Sequence, residues 1–119
     1  MGRGLSDMQQ AALRMAYEAK LAGKRYTNGG SELPQVALWE FLAQWYKWPV
    51  RNTGYYSGLR FRTSDIGEAK YQAGKAAAAR MLTRLEERGL VRRTPIRGYY
   101  GRGYELTEEG EQVARELNG

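Results

Sequence analysis

Arg80 and Arg84 stand one helical turn apart at the end of an alanine run, Ala76 to Ala79, and Arg92, Arg93, Arg97 and Arg102 surround the phrase Gly98-Tyr99-Tyr100-Gly101. A guanidinium is permanently charged and presents its donors in a planar fork that matches phosphate oxygens and the O6/N7 edge of guanine. Alanine beside it lets a backbone come close to whatever the fork binds. The chemistry these residues suit is recognition of a polyanion. Covalent catalysis is poorly served. Histidine and cysteine are both absent, which removes the commonest general base, the commonest nitrogen ligand and every thiolate. Asp7, Asp65 and the scattered glutamates form no motif of spaced acids. Gly98 to Gly103 lacks the Gly-Lys-Ser/Thr ending of a phosphate-binding loop. No catalytic residue, metal site or cofactor is expected, and the chain does not read as an enzyme.

The placement of charge agrees. Residues 51–103 hold twelve Lys/Arg against four Asp/Glu, residues 1–50 hold six against four, and residues 104–119 hold one against five. A positive middle with an acidic end is what a phosphate-facing surface produces, although a merely soluble basic protein would also carry a surplus. At 119 residues, 42% hydrophobic and 27% charged, the chain fits one globular domain able to bury a core without staples. Polar interruptions exclude a span of about twenty apolar residues. No apolar stretch follows Arg3 as a signal peptide would require, so a cytoplasmic location is expected, which the lack of cysteine permits.

These residues need elements to hold them. Ser6 and Gln9 form a capping-box pattern, and Leu5, Met8, Ala12, Met15, Ala19 and Ala22 recur at helical steps, so a helix is expected from Asp7 to Ala22, ended by Gly23. Thr27 to Ser31 has loop composition. Pro34 suits the first turn of a second helix, running to about Tyr46 and closed by Trp48-Pro49. Its faces are nearly all apolar: Val36, Leu38, Trp39, Phe41, Leu42, Trp45 and Tyr46 leave only a stripe of Glu40, Gln44 and Lys47. It reads either as core or as a dimer surface. Arg51 to Gly58 is a loop, and Leu59-Arg60-Phe61-Arg62 alternates like a short strand. Thr63-Ser64-Asp65 starts a helix to about Tyr71, a break near Gln72-Ala73-Gly74 follows, and the next helix runs to Arg88 before Gly89; one bent helix from Asp65 to Arg88 is the alternative. Leu90 to Arg93 and Gly103 to Leu106 are strands of a hairpin, and Thr107 caps a last helix with Val113, Ala114 and Leu117 inward.

On the helix ending at Arg88, Ala78, Met81, Leu82 and Leu85 make the apolar stripe. The opposite side carries Ala76, Arg80 and Thr83, the candidates for reading bases, with Arg80 placed for a bidentate bond to guanine. Lys70, Gln72, Lys75 and Arg84 are candidates for the phosphate backbone. Arg92, Arg93, Arg97, Tyr99, Tyr100 and Arg102 form a basic hairpin tip suited to the backbone or the minor groove. Tyrosines among arginines also suit stacking on unpaired bases, and a plain solvated helix face or tyrosines packed along the hairpin are the bland alternatives.

The order of elements, together with Leu85-Glu86-Glu87-Arg88-Gly89-Leu90-Val91 and Leu106-Thr107-Glu108-Glu109-Gly110, resembles the winged helix-turn-helix domain of bacterial and archaeal transcription regulators of the multiple-antibiotic-resistance (MarR-like) type. The resemblance covers residues 59–118. It implies an α+β, mostly α fold with a small antiparallel hairpin wing, here with an extra aromatic helix upstream. It further implies double-stranded DNA as partner, a recognition helix in the major groove and a homodimer on a near-palindromic site. About thirty-five residues with three tryptophans between Gly23 and Leu59 depart from that pattern. A protein-interaction module, and a replication or partition factor of a mobile element, are the other readings; the sequence names no effector.

Overall fold

Ser6 opens the first helix, α1 (Asp7–Leu21), in a computed structural model that describes residues 4–23, 27–28, 31–32, 36–50, 61–95 and 102–118. Gln9 N–H donates to Ser6 Oγ at 3.1 Å and Ser6 N–H donates to Gln9 Oε1 at 2.8 Å, so the box satisfies two of the donors a helix start leaves over. Gly23, at φ +70°, donates to the Lys20 carbonyl and stops the helix. The buried stripe is Leu5, Gln9, Ala12, Leu13, Ala16 and Ala19. It is rotated from the expected one, since Met8 and Met15 are half-buried and Ala22 is exposed. The small residues are selected by crowding, because three other helices and two strands pack on α1 at once.

The expected second helix starts later. Val36–Ala37 is a strand, β3, and α2 is Leu38–Tyr46; Pro34 lies outside the described residues. Val36 is 1% exposed and pairs with Tyr104, so its β-branched side chain serves a sheet rather than a helix face. Glu40 Oε1 accepts from Ala37 N–H at 3.0 Å and sets the boundary. Thr27–Asn28 (β1) and Ser31–Glu32 (β2) pair where a loop was expected, which is what Asn-Gly-Gly turn chemistry permits.

Leu59 and Arg60 of the expected strand lie outside the described residues, and Phe61 and Arg62 form no strand. Next come a single turn, α3 (Thr63–Ile66), and a continuous twenty-residue helix, α4 (Glu68–Glu87). The break is at Gly67, not at Gln72 to Gly74. Gly67 holds φ +104°, which L side chains resist, whereas Gly74 is a point of close approach: a Cβ there would lie 2.5 Å from Trp48 Cη2.

Strands β4 (Val91–Pro95) and β5 (Arg102–Leu106) are antiparallel, and β3 adds to β5, giving the order β3-β5-β4. The last helix is α5 (Glu108–Asn118). The described residues are thus α+β and mostly helical. Tyr104, fully buried on the central strand, donates its hydroxyl to the Ala12 carbonyl at 2.9 Å. Burial first, and the nearby Glu40 charge second, push its phenol well above the ordinary range. Among the described residues no helix is long and apolar enough to cross a membrane.

Candidate nucleic-acid interface

Period 3.6 divides α4 into two faces. Gly74, Ala78, Met81, Leu82 and Leu85 are buried, while Ala69, Gln72, Ala73, Ala76, Arg80 and Thr83 are exposed on the opposite side. At 1.5 Å per residue the helix is about 30 Å long. Ala76, Arg80 and Thr83, the expected base-reading set, therefore share one solvent-facing stripe. Ala69, Ala73 and Ala76 flank Gln72 in its first part, and Arg80 follows one turn after Ala76. Lys70 and Lys75 are exposed on either flank, with the Lys75 ammonium 4.9 Å from the Tyr71 ring centroid. Gln72 donates to Glu68 at 3.1 Å. Arg84 turns to another side, lining an open cleft of about 390 Å³ with Gly4, Gln9, Glu87 and Arg88.

The hairpin is fixed to the C-terminal end of α4 by a glycine-dependent turn. Gly89 adopts φ +76°, its N–H donates to Glu86 and the Leu90 N–H donates to Leu85 at 3.0 Å, the two bonds of a Schellman motif. Leu85 and Leu90 are both buried and complete its apolar contact. From the other side, Thr107 N–H donates to the Leu90 carbonyl at 3.1 Å, Thr107 Oγ1 donates to Gly89 O at 2.5 Å, and Gly110 N–H donates to Thr107 Oγ1 at 3.0 Å. The two phrases of the sequence, Leu85 to Val91 and Leu106 to Gly110, form one joint.

Along β4 the side chains alternate. Val91 is buried; Arg92 points outward and pairs with Glu105, its cross-strand partner, at 3.2 Å. Arg93 returns to the α4 side and its Nη1 donates to Thr83 Oγ1 at 2.8 Å. Arg97, Tyr99 and Tyr100 lie outside the described residues. Arg102 begins β5, and its side chain is likewise outside them.

The three tryptophans divide. Trp48 stacks on Tyr46 with centroids 4.7 Å apart and meets Phe61 at 5.5 Å and Tyr71 at 5.7 Å, sealing the N-terminal half of α4 from behind. Trp39 is half-buried against the core. Trp45 alone of the three is exposed, at 37%; it stacks on Phe41 and borders a groove of about 330 Å³ shared with Ala11, Met15, Gln44 and Lys47. Sequence reasoning missed the Trp48–Gly74 contact. A single glycine within an alanine-rich helix was the available signal, and it was read as a breaker.

Acidic residues gather on α5, four of its eleven residues being glutamates. Glu111 pairs with Lys20 of α1 and with Arg115 at 3.2 Å. The Lys20 hydrogen bond chiefly holds its carboxyl below the usual glutamate range; desolvation opposes this, and the charges of Lys20 and Arg115 add to the lowering. No group of three or more Asp or Glu among the described residues is placed to hold a metal ion. Comparison with protein-family models, with curated proteins and with solved structures gives no match to the chain.

Proposed function

We propose that the chain is a double-stranded DNA-binding protein of the winged helix-turn-helix type, acting as a transcription regulator and binding as a homodimer without cofactor. α4 would enter the major groove, and the basic hairpin would lie on the backbone or in the minor groove. The observation that carries this reading is the exposed stripe of α4. A long helix is held by its apolar side, while a face of three alanines, Gln72, Arg80 and Thr83 stays exposed on the other. The order α1-β1-β2-β3-α2-α3-α4-β4-β5-α5 and the sheet order β3-β5-β4 support it, because the hairpin follows directly on the C-terminal end of that helix. Basic residues outnumber acids threefold across residues 51–103, the segment that contains both parts.

A protein-interaction module is the second reading, favoured by the exposed Trp45 and its groove. Binding of the full chain to random duplex, to single strand and to the DNA upstream of its own reading frame, titrated with salt, separates the two. Duplex binding should weaken with a log–log slope of roughly −0.9 per phosphate contacted. A flat response would refute the DNA reading and put the interaction module first.

A further inference from the structure

Thr83 stands on the open stripe of α4, yet its hydroxyl is already committed. Oγ1 donates to the Ala79 carbonyl at 2.9 Å and accepts from Arg93 Nη1 at 2.8 Å. A hydroxyl has one hydrogen, so the group has no donor left to offer a base. Arg93 is half-buried and crosses from β4 to reach it, whereas its neighbour Arg92 points the other way toward Glu105. A guanidinium has five N–H donors in a rigid fork, and the bond to Thr83 uses one of them.

The position of this link matters in the DNA-binding reading, on which the inference rests. A helix in the major groove and a hairpin at the adjoining minor groove straddle the sugar–phosphate backbone that separates the two grooves. In that reading the junction of α4 and β4 would lie over that backbone, and of the arginines there, Arg88, Arg92 and Arg93, Arg93 is the one bonded across to α4. We propose that Arg93, held side-on by Thr83, binds a phosphodiester of the intervening backbone, and that Thr83 is a positioning residue for Arg93 rather than a reader of bases. The hydrogen bond fixes one edge of the guanidinium in advance, so less side-chain freedom is lost when the phosphate arrives.

The test uses the full chain, random duplex at several salt concentrations, and thermal unfolding of every variant. Arg93→Gln keeps an amide donor for Thr83 and removes the charge; it should weaken all duplexes and reduce the salt slope by about 0.9, the share of one phosphate. Thr83→Val should weaken binding about two- to fivefold, as loss of one hydrogen bond does. Thr83→Ser should restore it. The double variant Thr83→Val/Arg93→Gln should bind like Arg93→Gln alone, because Thr83 acts through Arg93. A steep wild-type salt response with an unchanged slope in Arg93→Gln would overturn this assignment and leave the duplex reading intact. Additive losses in the double variant would overturn the positioning role of Thr83. A wild type flat in salt would overturn the duplex reading and this assignment together.

Discussion

A Cβ built on Gly110 would lie 1.8 Å from the carbonyl oxygen of Leu90, so the first turn of α5 rests directly on the backbone that leaves α4. No rotamer relieves such a clash, because the backbone fixes where a Cβ lies and the atom it meets is main chain. Gly110→Ala should therefore destabilise by about 3 kcal/mol or more, through forced separation of the two segments. Gly89→Ala, where the obstacle is only φ +76°, should cost about 1–2 kcal/mol. Urea unfolding of both variants checks the order, and equal losses would show that α5 can shift away from Leu90.

Gly74 sets helix propensity against packing. Alanine is about 1 kcal/mol better than glycine inside a helix, but its Cβ would meet Trp48 at 2.5 and 2.7 Å. The ring is wedged among Tyr46, Phe61 and Tyr71, so the clash should win. Gly74→Ala is expected to lower stability by about 1–2 kcal/mol and to shift tryptophan emission to the red as Trp48 is displaced. A variant more stable than wild type, with unchanged emission, would show that Trp48 has room to slide.

Stability should depend on pH through Glu111. Its folded pKa lies below the unfolded value, so the ionised form is favoured by folding. That contribution is fully present above the ordinary glutamate value of 4.5 and is lost as pH falls through the folded value. In wild type the melting temperature should hold steady above that pH and drop below it, and Glu111→Gln should flatten the drop. High salt should shrink the difference, since the pair with Lys20 is solvent-exposed.

Arg80→Ala should cost about 1–3 kcal/mol on a preferred duplex and relax discrimination at one base pair. Arg97→Ala and Arg102→Ala should weaken all duplexes alike. Competition binding with single-base variants of the selected site gives the answer. Equal loss on specific and random DNA would assign Arg80 an electrostatic role.

Trp45 is the most exposed of the three tryptophans and lines a groove with Met15, the surface that the proposed homodimer would use across its two-fold axis. Sedimentation at micromolar concentration should give a dimer, which Trp45→Gln dissociates without unfolding. Half-sites would then be separated by about 34 Å. A monomeric wild type would remove the reason to expect a palindrome.

Much of this architecture was readable wherever a local rule and the tertiary structure ask for the same thing. Ser6 and Gln9 announce the start of α1, Gly89 the end of α4, and Thr107 the start of α5, because caps are satisfied within a few residues of sequence. The errors fall where distant partners decide. Val36 looks like part of an apolar helix until Tyr104, sixty-eight positions away, pairs with it. Gly74 looks like a stop until Trp48 fills the space above it. The bond from Arg93 to Thr83, ten positions apart, is likewise invisible to periodicity, which gives only the exposed face on which Thr83 stands. Arg80 and Ala76 were legible because exposure on an amphipathic helix follows from spacing alone.

The pairing of α1 with α5 has a consequence for how the chain is made. Lys20 bonds Glu111, Arg14 reaches the Leu117 carbonyl, and Tyr104 holds Ala12, so these bonds of the first helix span about ninety to a hundred residues. Contacts of such long sequence separation form slowly, because a large loop must close before any of them stabilises the fold. During synthesis, at about 5–20 residues per second, α1 emerges seconds before α5, and Arg14 and Lys20 wait that long for their partners. Its local capping box lets it hold helical form meanwhile, and completion of the domain is deferred until the residues around 117 have left the ribosome.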